Sequence, residues 1–344
     1  MDHRTGDAPA WAHWLAQAEL APDFEPASTR DAFERQRAEI RATAWKLLGA
    51  LPPRPASPSV RVISNDGHDG CRIERVAIDN AAGSTIPGVL FLPQSRRPGP
   101  AILWHHSHGG DYENGCSEVF QENPTPCAPG PALAAEGYTV LSIDACCFGE
   151  REGEGPGGST ERGQSGEHSA AKLNLWLGRT LWGMMVRDDL IALDYLSTRA
   201  EVDRERIGAA GMSMGATRTW WLMALDDRVK AGVGVCCLTR YLDLIEAQAL
   251  HEHGLYYFVP GMLRHFDTEA LIACIAPRAF LSLAGELDPG SPVAGIRVIE
   301  RAASAAWSTC GAPDAFQSRI YPATAHTFTH EMWLELIASF RRHL

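Results

Sequence analysis

The sequence predicts an α/β fold, a mostly parallel central sheet with helices on both faces, preceded by a helical extension at the N-terminus. Three observations predict it. Short apolar runs alternate with helix-patterned segments through most of the chain, the alternation that builds a parallel sheet. The runs are apolar throughout rather than at every second residue, as strands covered on both faces are. The 344 residues suffice to bury roughly three-quarters of the unfolded surface, so the core needs no disulfide staples.

Taken in order, residues 1–50 read as helical, with Phe33, Ile40, Trp45, Ala38, Leu47 and Leu48 recurring near helical spacing among Glu and Arg. The proline-rich LPPRPASPS, residues 51–59, breaks this pattern. Residues 1–59 are therefore expected to form an extension and linker packed on a main body at 60–344, in preference to a loosely attached arm. VRVIS, CRIERVAID and IPGVLFLP follow, partly alternating, with Asn-Asp-Gly and Ala-Gly-Ser turns between them, an antiparallel meander. AILWHH, YTVLSID, RIGAAG, VKAGVGVCC and AFLSLAG then supply the buried strands, and FQSRIYP the last one. PALAAEG, LWGMMVRDDLIALDYLSTRA, ATRTWWLMAL, PVAGIRVIERAASAAW and HEMWLELIASFRRHL are the helices between and after them. Two segments interrupt the alternation. Residues 148–168 are Gly-rich and charged, and read equally as a mobile flap over a site or a solvated loop. Residues 239–267 are a cap-like insertion between two strands, expected at the C-terminal edge of the sheet.

The formal net charge is −11, with 31 Lys+Arg against 42 Asp+Glu, which argues against a nucleic-acid partner or an anionic membrane surface. The first twenty residues interrupt their apolar positions with charges, unlike a signal peptide, and no apolar run approaches the ~18 residues of a membrane span. A cytoplasmic protein is expected. The nine cysteines are an odd number. Cys146–Cys147 and Cys236–Cys237 lie in strand-like runs and read as buried thiols, and no paired C-x-x-C suggests zinc.

The strongest chemical signal is Gly211-Met212-Ser213-Met214-Gly215, between a strand and a helix, the context of a nucleophile elbow. The sharp turn strains the serine, the flanking glycines avoid collisions, and the hydroxyl emerges at the positive end of a helix. A serine needs a base, and in this fold class the order is Ser, acid, His. His326 lies between the last strand and the last helix and is the candidate base, ahead of His330 and His343. Asp288 follows AFLSLAGEL at a strand's C-terminal end and is the candidate acid, with Glu286 as its alternative. An oxyanion hole would draw one backbone N–H from Met214 and one from His108, in the loop after AILWHH. His105, His106 and His108 also invite a metal reading, weakened because 105 and 106 would point to opposite faces of a strand, and no metal is expected.

These residues resemble the α/β-hydrolase superfamily, and within it the dienelactone-hydrolase and acetyl-xylan-esterase-like branch. The resemblance covers roughly 60–344. It rests on H-x-H-G-G at 106–110, I-D-x-x-x-F-G-E-R at 143–151, G-M-S-M-G at 211–215, I-A-P-R at 275–278, G-x-x-D-P-x-S-P at 285–292, and His326. It implies an α/β-hydrolase fold, hydrolysis of carboxylic esters, often acetyl esters, and no cofactor. Serine as nucleophile separates the chain from dienelactone hydrolases proper, which use cysteine. Ser107 stands where many relatives have glycine.

The expected reaction is a two-step acyl transfer on a small-molecule ester. Tyr256, Tyr257 and Phe258 in the insertion, Trp220 or Trp221 on the helix after the serine, and Arg151 are candidate substrate contacts, although Arg151 reads more readily as a partner of Asp144 or Glu150. Amide or peptide cleavage and a non-catalytic binding role remain alternatives. Trp11 and Trp14 leave a homodimer open.

Overall fold

The computed structural model describes residues 9–68, 70–94 and 98–344, so the first eight residues of the expected extension lie outside the described residues. Among the described residues, nine strands form one sheet in the order β1-β2-β3-β5-β4-β6-β7-β8-β9. The first three are β1 (Val60–His68), β2 (Cys71–Asp79) and β3 (Thr85–Pro93), an antiparallel meander whose last strand runs antiparallel to β5 (Thr139–Ile143). From β5 onward the pairing is parallel, through β4 (Gly99–His105), β6 (Val202–Met212), β7 (Val229–Val235), β8 (Ala279–Gly285) and β9 (Phe316–Tyr321). The meander has one corrected turn. Asn65-Asp66-Gly67 continues β1, with Asp66 opposite Ile73, and the chain reverses after His68, where Gly70 takes φ +84°. Two Asp-Gly pairs stand three residues apart in this stretch, and the turn falls at the glycine of the second, Gly70.

Both faces of the sheet are covered, which is why its central strands are apolar at every position. On β4, Ala101 and Leu103 face one core, Ile102 and Trp104 the other, and all four are fully buried. The first core takes in α5 (Leu181–Leu196), α8 (Thr268–Ala273), α9 (Val293–Thr309) and α2 (Arg30–Leu48). The second is closed by α3 (Pro129–Ala135) and α10 (His330–His343) through Leu133, Leu336 and Phe340. No helix of the described residues is long and apolar enough to cross a membrane.

Ahead of the sheet, α1 (Ala10–Ala16) buries no residue and leaves Trp14 71% exposed. The buried stripe of α2 is Phe33, Ile40, Ala44 and Leu48; Ala38, expected on that stripe, is exposed. Arg37 donates to the carbonyl of Ala276 (2.9 Å), and Arg41 to that of Ala224 (2.5 Å) and to Asp227, so α2 is fastened to backbone acceptors on the body. Arg278, of the I-A-P-R motif, donates to the carbonyls of Asp226, Val229 and Ile275. Asp226 and Ile275 lie just beyond the C-terminal ends of α6 (Met214–Leu225) and α8, where helix carbonyls lack intrahelical partners, and Val229 opens β7.

β4 continues toward β5 on one side and β6 toward β7 on the other, although β4 and β6 are neighbours. This is a switch point, and its crevice lies at the C-terminal ends of these two strands. The loop from His106 to Gly110 and the turn at Ser213 leave the sheet there.

Candidate active site

Ser213 sits between β6 and α6 with φ 58° and ψ −120°, a conformation costing a non-glycine residue on the order of 1–3 kcal/mol. Tight packing fixes it. A Cβ at Gly211 or at Gly215 would press on the carbonyl oxygen of His105 at the end of β4, and only bare glycines let the strand and the helix approach this closely. The Ser213 N–H is spent on the carbonyl of Val235 (2.9 Å).

His326 follows β9, and its Nδ1 lies 2.8 Å from Oδ2 of Asp288, which follows β8. The carboxylate is 1% exposed and the imidazole 36%. The other carboxylate oxygen, Oδ1, accepts the N–H of Gly290 (3.0 Å). Glu286 turns elsewhere and accepts the N–H of Ala323 (2.9 Å), bracing the loop that carries His326. His330 is the exposed first residue of α10. Ser213, Asp288 and His326 line one cavity of about 360 Å³ together with His108 and Tyr256.

Under this cavity lies a layer of neutral imidazoles. His105 and Thr219 are bonded (2.9 Å), and the Thr219 hydroxyl donates to the carbonyl of Gly215 (2.8 Å), so the His105 Nδ1 is the donor and β4 is tied to the first turn of α6. Nδ1 of His106 donates to the carbonyl of Ser107 (2.8 Å), and its Nε2 accepts the N–H of Ala145 (3.1 Å). Burial, aided by the charge of Arg218, holds both imidazoles well below the usual histidine range. A pH dependence follows. With a depressed pKa in the fold, each histidine favours the folded state fully above the unfolded value of about 6.5, and that share is lost as pH falls below it. Replacing His106 with Gln, which keeps a donor and an acceptor, should make the pH dependence of unfolding free energy shallower below pH 6.5, by up to ~1.4 kcal/mol per pH unit. Urea titrations from pH 7.5 to 5.5 measure this, and equal slopes in the two proteins would remove His106 as a source.

Several expected contacts lie away from the cavity. Arg151 is 3% exposed and pairs with Asp188 (2.8 Å) and Glu154 (3.0 Å). So buried, it does not face the cavity; it donates to the backbone carbonyl of Asp144 (3.3 Å), one of the two partners read from the sequence, while α5 brings in the carboxylate of Asp188 from 37 positions away. Asp144 of the same motif accepts the N–H groups of Cys116 (2.6 Å) and Glu150 (2.9 Å). Trp220 is 1% exposed and donates its indole N–H to the carbonyl of Cys237 (3.2 Å), so it is core beneath the site. Trp221 is equally buried. Tyr256 lines the cavity, but Tyr257 faces a separate apolar cavity of about 190 Å³ with Leu244 and Met262, and does not line the first. Phe258 also borders that second cavity.

Other residues at the cavity carry no sequence signal. Cys236 and Cys237 lie beyond the end of β7 at φ 61° and 53°, not within a strand, and Cys237 places its Sγ 3.9 Å from the Ser213 Oγ. Cys146 and Cys147 likewise follow β5 instead of belonging to it. His253, from the insertion, stacks on Tyr257 (4.2 Å, 9°) and bonds through Nε2 to the carbonyl of Gly290 (3.0 Å), which holds the turn bearing Asp288. The segment 148–168 is not loop throughout. The helix α4 (Gly163–Trp176) starts inside it, and Gln164 and Glu167 of that helix reach the site. Ser107 gives both its N–H (2.8 Å) and its hydroxyl (2.5 Å) to the buried Glu118, which steadies the loop carrying His108.

Among the described residues, the ligand atoms of Cys236, Asp288 and His326 lie within 4.8 Å of one another, as a metal site would require. Burial pushes the Cys236 thiol well above its ordinary pKa, Asp288 adding to the effect. His105, His106 and His108 each engage different partners through their rings and do not converge.

Residues 12–342 match the model of an abhydrolase family. YtaP of Bacillus subtilis (strain 168), provisionally named a hydrolase, is 37% identical over 284 residues, 82% of this chain and 91% of that protein. Among solved structures, a glucuronoyl esterase from Solibacter usitatus superposes with a TM-score of 0.69 at 17% identity, covering 94% of this chain and 99% of that one. Acetyl xylan esterase 1 from Thermoanaerobacterium sp. JW/SL YS485 gives 0.60 at 17% identity, covering 98% and 99%. At these identities the likeness is one of fold, and the fold is the α/β-hydrolase fold with helices on both faces of a mostly parallel sheet.

Proposed function

Since the chain belongs to the abhydrolase family, we propose that it is a serine esterase acting on carboxylic esters with a short acyl group, through an acyl-enzyme. The observation that carries this reading is the 2.8 Å bond between Asp288 and His326 at the wall of the cavity that also holds Ser213. In the proposed reaction the Ser213 Oγ attacks the ester carbonyl while His326 Nε2 takes its proton. Asp288 holds the imidazole in the right tautomer and stabilises its cation. The backbone N–H groups of Met214 and His108 meet the charge on the former carbonyl oxygen. Met214 is the first residue of α6, where helix N–H groups lack intrahelical acceptors. The C–O bond breaks, His326 returns the proton to the departing alcohol, and water repeats the sequence in reverse roles to release the acid.

Two features support a small acyl group and a polar alcohol. The Cys237 thiol, 2% exposed, crowds the nucleophile from below. The exposed rim carries Gln164, His251 and Glu252, which suit a hydroxylated alcohol of the kind named for the acetyl xylan esterases. The buried thiols Cys116, Cys146, Cys147, Cys236, Cys237, Cys274 and Cys310 suit the reducing cytoplasm. Hydrolysis of p-nitrophenyl acetate, butyrate and octanoate, beside an aminoacyl anilide, tests the reading. kcat/KM should fall by ~10-fold or more from acetate to octanoate, and the anilide should be slower than any ester. A faster anilide would move the assignment to an amidase, and no turnover of any ester would remove it.

A further inference from the structure

We propose that Glu167 is a positioning residue for the oxyanion side of the site, acting through the imidazole of His108; the inference rests on the esterase reading above. Glu167 lies on α4, and its side chain is 0% exposed. Its carboxylate collects three donors from two different walls of the cavity. Oε2 accepts from Nε2 of His108 (2.9 Å) and from the Tyr112 hydroxyl (2.9 Å), while Oε1 accepts the backbone N–H of Tyr256 in the insertion (3.2 Å). The approach to the insertion needs a glycine beside it, because a Cβ at Gly254 would lie 2.8 Å from Oε1. Burial pushes this carboxyl up, yet the bond from His108 and its charge, with the bonds from Tyr112 and Tyr256, outweigh burial and hold it below the usual glutamate value.

The His108 ring is occupied at both nitrogens. Nδ1 accepts the N–H of Gly110 (3.1 Å), so Nε2 carries the proton donated to Glu167. It also stacks on Tyr256 (5.1 Å, 22°) and meets Tyr112 edge-on (4.9 Å). A ring with both nitrogens engaged has no site for a substrate proton. What remains is mechanical: the ring is clamped between α4 and the Gly110 turn, and the clamp fixes the backbone of residue 108, whose N–H is the proposed oxyanion donor. Misplacing such a donor is costly because it must be aimed before the charge develops.

A carboxylate fits this place better than an amide. All three partners are donors, and only an ionised carboxylate is acceptor-only. In Glu167→Gln the NH₂ group must face one of them. Against the Tyr256 N–H it has no escape. Against His108 it forces the ring to move its proton to Nδ1, which then opposes the Gly110 N–H, and the turn loosens.

Glu167→Gln should therefore lower kcat for p-nitrophenyl acetate by about 10- to 100-fold with KM changed less than about threefold, counted per active site titrated with a fluorophosphonate. The affinity of a boronic acid, which mimics the tetrahedral intermediate, should fall by the same factor as kcat/KM, a correspondence that general loosening would not give. Should this variant not fold, Tyr112→Phe, which removes one of the three donors, should cut kcat about three- to tenfold with boronate affinity falling in step. Unchanged kcat and boronate affinity in the folded variant overturns the inference. The parallel Ser213→Ala assay separates the two claims. If it is inactive while Glu167→Gln is not impaired, only the positioning role fails; if it hydrolyses ester like the parent, the esterase reading fails first.

Discussion

Ser213→Ala is expected to lower kcat for p-nitrophenyl acetate by roughly 10⁴- to 10⁶-fold while leaving the melting temperature within about a degree of the parent. The two halves of this expectation have separate origins. The rate depends on an oxygen that can form and break a bond to the acyl carbon, and no neighbour can replace it: the nearby Cys237 thiol, 3.9 Å away, has its pKa pushed up to about 12 by burial, so almost no thiolate exists near neutral pH. Stability should hardly move because the strain at φ 58° belongs to the backbone and the Cβ, both of which alanine retains. Intact-protein mass spectrometry should show a fluorophosphonate adduct on the parent and none on the variant. Hydrolysis within tenfold of the parent would end the assignment of Ser213, whatever the Asp288–His326 bond looks like.

What could be read from the sequence was the part in which local pattern and tertiary role coincide. The strands of the central sheet declare themselves because both faces are buried, and the Gly-Met-Ser-Met-Gly turn because close backbone approach demands glycine at two fixed places. Ser213, Asp288 and His326 share a cavity because each follows the C-terminal end of a parallel strand, and all such ends lie on one edge. The helix α4 stayed hidden for a physical reason. Its buried face is Gly166, Glu167, Ala170, Ala171 and Asn174, small or polar residues, while Leu173, Leu175 and the 91% exposed Trp176 point outward, so its hydrophobic period is inverted. With α4 went Glu167, whose partners at 108, 112 and 256 meet only in the folded chain. Arg151 and Trp220 show the opposite case, although for Arg151 an interior pairing is already the reading the sequence favours. A charged residue and an aromatic near a site suggest substrate contact, but both were claimed by the interior, the one by Asp188 on α5 and the other by the carbonyl of Cys237.

The largest expected effect on the fold is that of Gly215→Ala. Helix propensity alone would make this substitution favourable, since alanine within a helix is about 1 kcal/mol better than glycine. Packing reverses the sign. The new Cβ would press on the carbonyl oxygen of His105, 2.8 Å from that residue's carbonyl carbon and 3.0 Å from the carbonyl oxygen of His106. These are backbone atoms of β4 and its following loop, and His105 is held in register opposite Gly211 on β6, so they cannot swing aside as a side chain would. Relief requires α6 to lift from the sheet, which carries Ser213 with it, or the His106–Gly110 loop to shift, which moves the proposed oxyanion donor. The destabilisation should reach or exceed the upper end of the ~1–3 kcal/mol typical of overpacking, read as a lower urea midpoint with an unchanged slope. Ester turnover per titrated site should fall as well, because either route of relief separates the nucleophile from the donors around it. Gly67→Ala supplies the contrast: that glycine is exposed on β1 with nothing within 4 Å of a Cβ, and alanine there should change stability by no more than ~0.5 kcal/mol. A Gly215→Ala protein with the parent's midpoint and turnover would show that the elbow is held less tightly than its contacts require, and would weaken every argument that places Ser213 by the approach of β4 to α6.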